Sequence, residues 1–404
     1  AGETVGFFAN GYEQYRWERF LDKSLPAPEK MRLYSEALEK MSQNPHIPQL
    51  FRDIFKGAFL PYRDPEVLKL FLEQMNEFSY SHSEELGNAF EYILHVMGSQ
   101  GDAGMFRTPR HIIDFIVETV EPKKTDRILD PACGTAGFLV AAYKYLEKKG
   151  LTQNEKLAIT HNVAGYDISP QMVRLSRVNL YLHHFPNPQI QEYDTLGSLT
   201  HWDEQYDTIF ANPPFMTPKG GVKPHNRFQI QAKKSEALFV DYILEHLSQN
   251  GKAGIIVPEG IIFKSENAYK QLRKMLVDGG FLWGVVSLPS GVFNPYAGVK
   301  TSILLVDLTI AKQSNEIVFL KVEKEGYDLG AQRRPLCTEH EESPEWCPNH
   351  SDLPAILEIA KKWKNGEKVE NKLALYVPKE KIIESGDYNL SAESYKKPTG
   401  KTSS

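Results

Sequence analysis

From about residue 105 onward, short apolar runs alternate with segments of helical period, and this alternation limits what the chain can become. Strands separated by helix-length connections pair in parallel, so the expected fold is α/β with a largely parallel sheet. Residues 127–130 read as a strand and 138–149 as its helix. Residues 163–166 read as a second strand, followed by a helix over 170–183. A strand over 206–211 and a helix over 237–247 come next, then strands over 252–257, 282–288, 302–307 and 317–322. Ahead of this region the texture is helical: apolar residues recur three and four apart in 15–21, 31–41, 66–78 and 85–96. Pro26, Pro28, Pro45, Pro48, Pro61 and Pro65 punctuate these segments. Residues 98–104 read as a flexible break. Behind the α/β region, 324–350 is polar and irregular, 353–363 is an amphipathic helix, and the basic, Ser/Thr-rich end from Tyr395 reads as loose. The expected division is an all-α N-terminal domain (1–100), a catalytic α/β domain (101–323) and a C-terminal extension (324–404).

The length of 404 residues agrees with two or three domains at about 150 residues each. With 41% hydrophobic and 25% charged residues, a disordered or collagen-like chain is excluded. No apolar run approaches the ~18–20 residues of a membrane span. The opening residues lack the pattern of a secretion signal. Three cysteines cannot build a disulfide framework, so a reducing, cytoplasmic setting is expected. A net charge of −5 is unusual for a freestanding nucleic-acid binder. Any such role needs a local basic groove or a partner that supplies phosphate contacts.

The chemistry-bearing residues sit at the predicted strand ends. Asp130, Pro131, Ala132, Cys133, Gly134, Thr135, Ala136 and Gly137 form a small-residue turn between a strand and a helix. Such a turn lets backbone approach a nucleoside closely. Neither G-x-G-x-x-G nor G-x-x-x-x-G-K-[ST] is present, which suits a cofactor without a pyrophosphate, such as S-adenosylmethionine. A plain tight turn is the simpler alternative. Asp167, ending the second strand, can take both ribose hydroxyls. It equally suits the start of the helix opened by Ser169-Pro170. Asp194 lies at the next expected strand end, where it can reach an adenine amino group or merely shape a turn.

Asn212-Pro213-Pro214-Phe215 is the sharpest signal. It ends an apolar strand, and two prolines bar a helix and stiffen the backbone. The Asn212 side chain and the Pro213 carbonyl then offer two acceptors to one exocyclic amine, and Phe215 offers a flat face to its ring.

These elements in this order resemble the amino-methyltransferases. The wider pattern resembles the modification subunit of type I restriction–modification systems, an N6-adenine DNA methyltransferase. The further strings are Met105-Phe106-Arg107-Thr108-Pro109-Arg110, Gly251-Lys252-Ala253-Gly254-Ile255-Ile256-Val257-Pro258-Glu259-Gly260-Ile261-Ile262-Phe263, Leu288-Pro289-Ser290-Gly291-Val292-Phe293, Pro295-Tyr296-Ala297-Gly298-Val299-Lys300-Thr301-Ser302 and Tyr388-Asn389-Leu390-Ser391. The resemblance runs over roughly residues 85–395.

It implies a Rossmann-like S-adenosylmethionine-dependent domain behind helical N-terminal residues. Met105, Phe106, Arg107, Thr108, Pro109 and Arg110 are implied to pack on the methionine part of the cofactor. Asp130, Gly134, Thr135, Ala136 and Gly137 are implied to form the cofactor turn. Asp167 is implied at the ribose, Asp194 at the cofactor adenine, and Asn212 to Phe215 at the target adenine, with Asn212 also bordering the cofactor. Implied partners are DNA, a specificity subunit shared by two modification subunits, and a restriction subunit; none is a membrane. Asp167 stands where the family often has Glu. Relatives usually continue past this chain's length into a helical tail that contacts the specificity subunit.

Arg107, Arg110, Lys219, Lys223, Arg227, Lys233 and Lys234 can line a phosphate-facing groove, although each alone reads as a solvated charge. Residues 216–234 read as a loop that orders on DNA. Cys337-x-x-His340 and Cys347-x-x-His350 supply zinc-type ligands, but their spacing is short for common zinc modules and the glutamates between them suit a solvated loop; no metal is expected. Two rival functions are methylation of an RNA base or glutamine amide and a catalytically silent scaffold. Phe215 and the 106–109 segment oppose the first, because those families often carry Tyr in the fourth place. Intact Asp130, Gly134, Asp167, Asn212 and Phe215 oppose the second.

Overall fold

The computed structural model of the chain describes residues 6–78, 83–99, 107–215, 224–295, 298–337 and 343–396. The chain divides into two compact units, Ala1–Glu91 with Arg177–Asn187, and Tyr92–Ser176 with Pro188–Ser404. The first boundary thus falls some residues before the expected break near 100. The end of the helix Pro170–Leu182 and the turn after it group with the first unit.

The first unit contains the helices Trp17–Leu21, Ala27–Met41, Gln49–Phe55 and Pro65–Glu77. In Ala27–Met41 the buried Leu33, Ala37 and Met41 recur at four-residue spacing, which makes one apolar face. Pro65 opens its helix at a position that needs no N–H donor, and the Asp64 side chain accepts from Glu66 N at 2.9 Å. Leu68 and Leu72, on one face of that helix, pack with Tyr15, Phe20 and Leu33.

The second unit is built on nine strands: β1 (Ile128–Asp130), β2 (Val163–Asp167), β3 (Gln189–Glu192), β4 (Tyr206–Ala211), β5 (Leu247–Pro258), β6 (Leu282–Ser287), β7 (Thr301–Asp307), β8 (Glu316–Lys321) and β9 (Ala374–Pro378). They form one sheet in the order β3-β2-β1-β4-β5-β7-β6-β8-β9. β7 and β9 run antiparallel to their neighbours, and the other pairings are parallel. The central strands are buried along nearly their whole length, which is why they read as continuous apolar runs.

β9 was not legible. It is an edge strand with Val377 as its buried residue, so it lacks an apolar signature. Its pairing with β8 makes part of residues 324–404 an extension of the central sheet. The helix Gln153–Asn162 also escaped, being polar. Its start is a capping box in which Thr152 Oγ1 accepts from Glu155 N and the Glu155 carboxylate accepts from Thr152 N.

The helix Arg110–Val120 is buried on most sides. It packs on β5, on the helix Gly137–Glu147 and on the helix Leu353–Lys364. Close approach to β5 depends on Gly254, where a Cβ would lie 2.4 Å from Ile116 Cγ2. Among the described residues no helix is long and apolar enough to cross a membrane.

Candidate active site

The chain leaves β1 toward β2 and β3 on one side, then returns to β4 on the other side of β1. That reversal leaves a crevice beyond the carboxyl ends of β1 and β4, the place where parallel α/β sheets bind ligands. Asp130, Gly134, Asp167 and Asn212 lie at or just beyond the carboxyl ends of β1, β2 and β4.

β1 ends on Asp130, which is 2% exposed. Its Oδ1 accepts from Ala132 N at 3.1 Å. Burial pushes this carboxyl up to about 8, and the nearby charge of Asp167 adds to the rise. Gly134 and Ala136 then adopt left-handed φ values of 52° and 67° before the helix Gly137–Glu147 begins. A Cβ on Gly134 would meet nothing within 4 Å, so the turn is open on that side. Thr135 and Ala136 are buried under it.

The turn is tied to its neighbours by hydrogen bonds. Cys133 N donates to Tyr166 O at 2.8 Å, and Thr195 Oγ1 donates to Pro131 O at 2.8 Å. Asp167 Oδ2 accepts from Gly134 N at 3.0 Å, and its Oδ1 accepts from Ser169 N at 2.8 Å. Burial raises the Asp167 carboxyl, and the two N–H donors oppose that rise. Asp167 therefore does shape the backbone after β2, as the simpler sequence reading allowed. It also braces the glycine turn, which that reading did not include. Asp194 lies two residues beyond β3 and closes its own turn: its Oδ1 accepts from Leu196 N at 3.1 Å and Gly197 N at 3.0 Å.

Asn212 follows β4 directly. Its Nδ2 donates to Thr108 Oγ1 at 2.8 Å, a contact spanning 104 residues of sequence. Pro213 is buried, Pro214 exposed and Phe215 half-buried. Ser235 Oγ donates to Pro214 O at 2.5 Å. Sequence reasoning missed Ser235, because a serine in the first turn of a helix reads as an ordinary helix start. Arg107, Thr108, Pro109 and Arg110 are half-buried at the entry to the helix Arg110–Val120, and Arg110 Nε pairs with Asp114 at 3.1 Å. Met105 and Phe106 lie outside the described residues, as do Lys219 and Lys223 and most of the expected loop's first half. Arg227 pairs with Asp203 at 3.1 Å and Lys234 with Glu266 at 3.5 Å.

A second polar cluster was not foreseen. Glu325, fully buried, contacts both His111 Nε2 and Arg333 Nη2, and so joins the helix Arg110–Val120 to the polar segment before the helix Leu353–Lys364. Cys337 and Cys347 are buried in that segment, and the Cys337 thiol holds the Cys347 thiol above its usual range. His340 lies outside the described residues. Among those described, no three His, Cys, Asp or Glu side chains gather as a metal site.

A family model described as N-6 DNA Methylase matches residues 81–403. Over 325 residues the chain is 31% identical to the type I restriction enzyme EcoEI methylase subunit of Escherichia coli, covering 78% of this chain. The chain spans 66% of that relative's length, just under two thirds. The fold is shared with a chain from a structure of the type I R-M system, at a TM-score of 0.78 and 24% identity over 100% of this chain and 83% of that one. It is shared too with the type I restriction-modification system methyltransferase subunit from Streptococcus thermophilus, at a TM-score of 0.73 and 20% identity over 96% and 81%. The family match takes in both the glycine turn after β1 and the Asn-Pro-Pro-Phe turn after β4, so it is not confined to one motif, and the chain belongs to the N-6 DNA methylase family.

Proposed function

We propose that the chain transfers a methyl group from S-adenosylmethionine to the N6 amino group of an adenine in DNA, as the modification subunit of a type I restriction–modification complex. The observation that carries this reading is the position of Asn212-Pro213-Pro214-Phe215, directly after β4 and beside the left-handed turn that follows β1. Family membership and the relatives' names support it.

The residues present fit the cofactor. The open side of Gly134 admits a nucleoside against backbone. Each oxygen of Asp167 accepts one N–H and keeps a second lone pair for the ribose diol. Thr135, Ala136 and Gly137 complete the turn, Asp130 holds it from beneath, Asp194 is the candidate for the cofactor adenine, and Arg107, Pro109 and Arg110 are the described candidates for the methionine part. When bound, S-adenosylmethionine supplies a methyl group on a sulfonium sulfur, whose leaving group is a neutral thioether.

The chain's own task is to prepare the amine. An exocyclic amino group is a poor nucleophile because its lone pair is delocalised into the ring. Asn212 Oδ1 and the Pro213 carbonyl accept its two hydrogens and favour a pyramidal nitrogen with its lone pair turned toward the methyl group. No strong base is needed before attack, since the leaving group is a neutral thioether; the methylated nitrogen would then lose its extra proton to solvent. Phe215 stacks on the base. An adenine within a duplex must first be flipped out, at a cost of a few kcal/mol. Holding the amine about 3–3.5 Å from the methyl carbon then supplies much of the acceleration. A specificity subunit serving two copies of this chain reads the DNA sequence, and a restriction subunit completes the complex.

The test is tritiated methyl transfer to adenine-unmethylated genomic DNA, with and without the specificity subunit encoded alongside. Label on adenine N6 that requires both the partner and Asn212 is expected. Cofactor binding without DNA label, even with the partner, would point to another amine substrate.

A further inference from the structure

We infer that Thr108 and Ser235 are positioning residues: two hydroxyls that hold the Asn212–Phe215 turn from opposite ends of its chain. This rests on the function proposed above and assigns Thr108 to Asn212 rather than to the cofactor. Ladder pairing between β4 and β5 stops at Ala211 with Ile255. Pro213 and Pro214 have no N–H, so half of the turn's four residues cannot donate a backbone hydrogen bond. The segment that must aim two acceptors at one nitrogen therefore begins where the sheet stops holding it.

Two side-chain contacts replace that hold. Thr108 Oγ1 takes Asn212 Nδ2 at 2.8 Å, which sets the plane of the amide and leaves Oδ1 on its other side. Ser235 Oγ donates to Pro214 O at 2.5 Å, which sets the peptide plane just after the Pro213 carbonyl. Both hydroxyls are themselves fixed. Ser235 is 2% exposed in the first turn of the helix Ser235–His246. Thr108 stands immediately before Pro109, the N-cap of the buried helix Arg110–Val120. An acceptor that must match a nitrogen to a fraction of an ångström needs such backing, because rotation about the Asn212 side-chain torsions would otherwise scatter it.

The experiment compares wild type, Thr108→Val, Thr108→Ser and Ser235→Ala as full chains assembled with the specificity subunit. Three readouts are taken: S-adenosylmethionine affinity by calorimetry, single-turnover methylation of adenine-unmethylated genomic DNA, and the side-chain amide resonances of Asn212 in asparagine-labelled chain. Those resonances are assigned by their loss in Asn212→Ala. Thr108→Val is expected to slow methylation about 10- to 100-fold, with cofactor affinity within about twofold of wild type and displaced Asn212 resonances. Thr108→Ser is expected to restore most of the rate. Ser235→Ala is expected to slow methylation about 2- to 10-fold.

A fall in cofactor affinity that accounts for the whole rate loss overturns the inference and makes Thr108 a cofactor ligand. A serine variant as slow as the valine variant overturns it, as do Asn212 resonances unmoved by Thr108→Val. If wild type labels no adenine while those resonances still move, the brace stands and the methyl-transfer reading falls.

Discussion

Asp130 and Asp167 end neighbouring parallel strands and burial raises both carboxyls, but they differ in exposure and in hydrogen bonding. Asp130 is sealed beneath the glycine turn, and burial raises it to about 8. Its folded value lies above its ordinary one, so its contribution to stability is full below about pH 4 and is lost as pH rises through about 8. Asp130→Asn keeps an acceptor for Ala132 N and removes the titration. Thermal melts from pH 6 to 9 should show wild type losing stability relative to this variant as pH rises. Parallel slopes for the two proteins would rule out Asp130 as the source. Asp167 is partly exposed and keeps lone pairs free beyond its two N–H bonds. Asp167→Asn should weaken S-adenosylmethionine binding about 10- to 100-fold, the effect of losing hydrogen bonds to a charged acceptor. Calorimetry on the chain alone checks this, and an unchanged affinity would remove Asp167 from the cofactor site. The sequence marked both acids by their place after apolar runs. It did not separate the sealed one from the open one, because burial depends on what the fold lays over each.

At the scale of elements, the helix Arg110–Val120 decides whether Thr108 reaches Asn212. Gly254 lets that helix lie close against β5. In Gly254→Ala the new methyl group would sit 2.4 Å from Ile116 Cγ2, so the Ile116 side chain or the helix that carries it must move. A destabilisation of about 1–3 kcal/mol is expected from such overpacking, with a loss of methylation larger than the loss of folded protein explains. Denaturant unfolding and single-turnover rates on the same preparation measure both, and a fully active, equally stable variant would contradict the packing argument. Legibility at this scale followed burial. β4 matches its expected bounds, since five of its six residues are buried and its second half, Ile209-Phe210-Ala211, is a continuous apolar run. β3 and β9 lie at the sheet's two edges, bury few side chains, and carry weak patterns. Arg273 shows a role that no local pattern announces. It is completely buried and donates to the carbonyls of Ile261, Lys264 and Asp387, tying the segment before Tyr388-Asn389-Leu390-Ser391 to the middle of the chain.

For the molecule as a whole, a net charge of −5 fits the proposed function, in which a partner supplies most of the phosphate contacts. Without the specificity subunit, binding to duplex DNA at ~0.15 M salt should be weak, indifferent to sequence and steeply salt-dependent. With it, sequence-selective binding should appear. Titrations at several salt concentrations distinguish these, and tight, selective binding by the chain alone would contradict the proposed division of labour. The sequence by itself determined the α/β alternation, the helical N-terminal texture and the strand-end turns. Each of these arises from neighbours along the chain: apolar period, the missing N–H of proline, the left-handed freedom of glycine. Only the tertiary structure decided that β1 and β4 lie side by side, that Thr108 meets Asn212, that Ser235 meets Pro214 and that Asp130 is closed off while Asp167 is not. Those outcomes follow from sheet order and from packing between residues far apart in sequence, and the local pattern around any one of them carries no record of its distant partner.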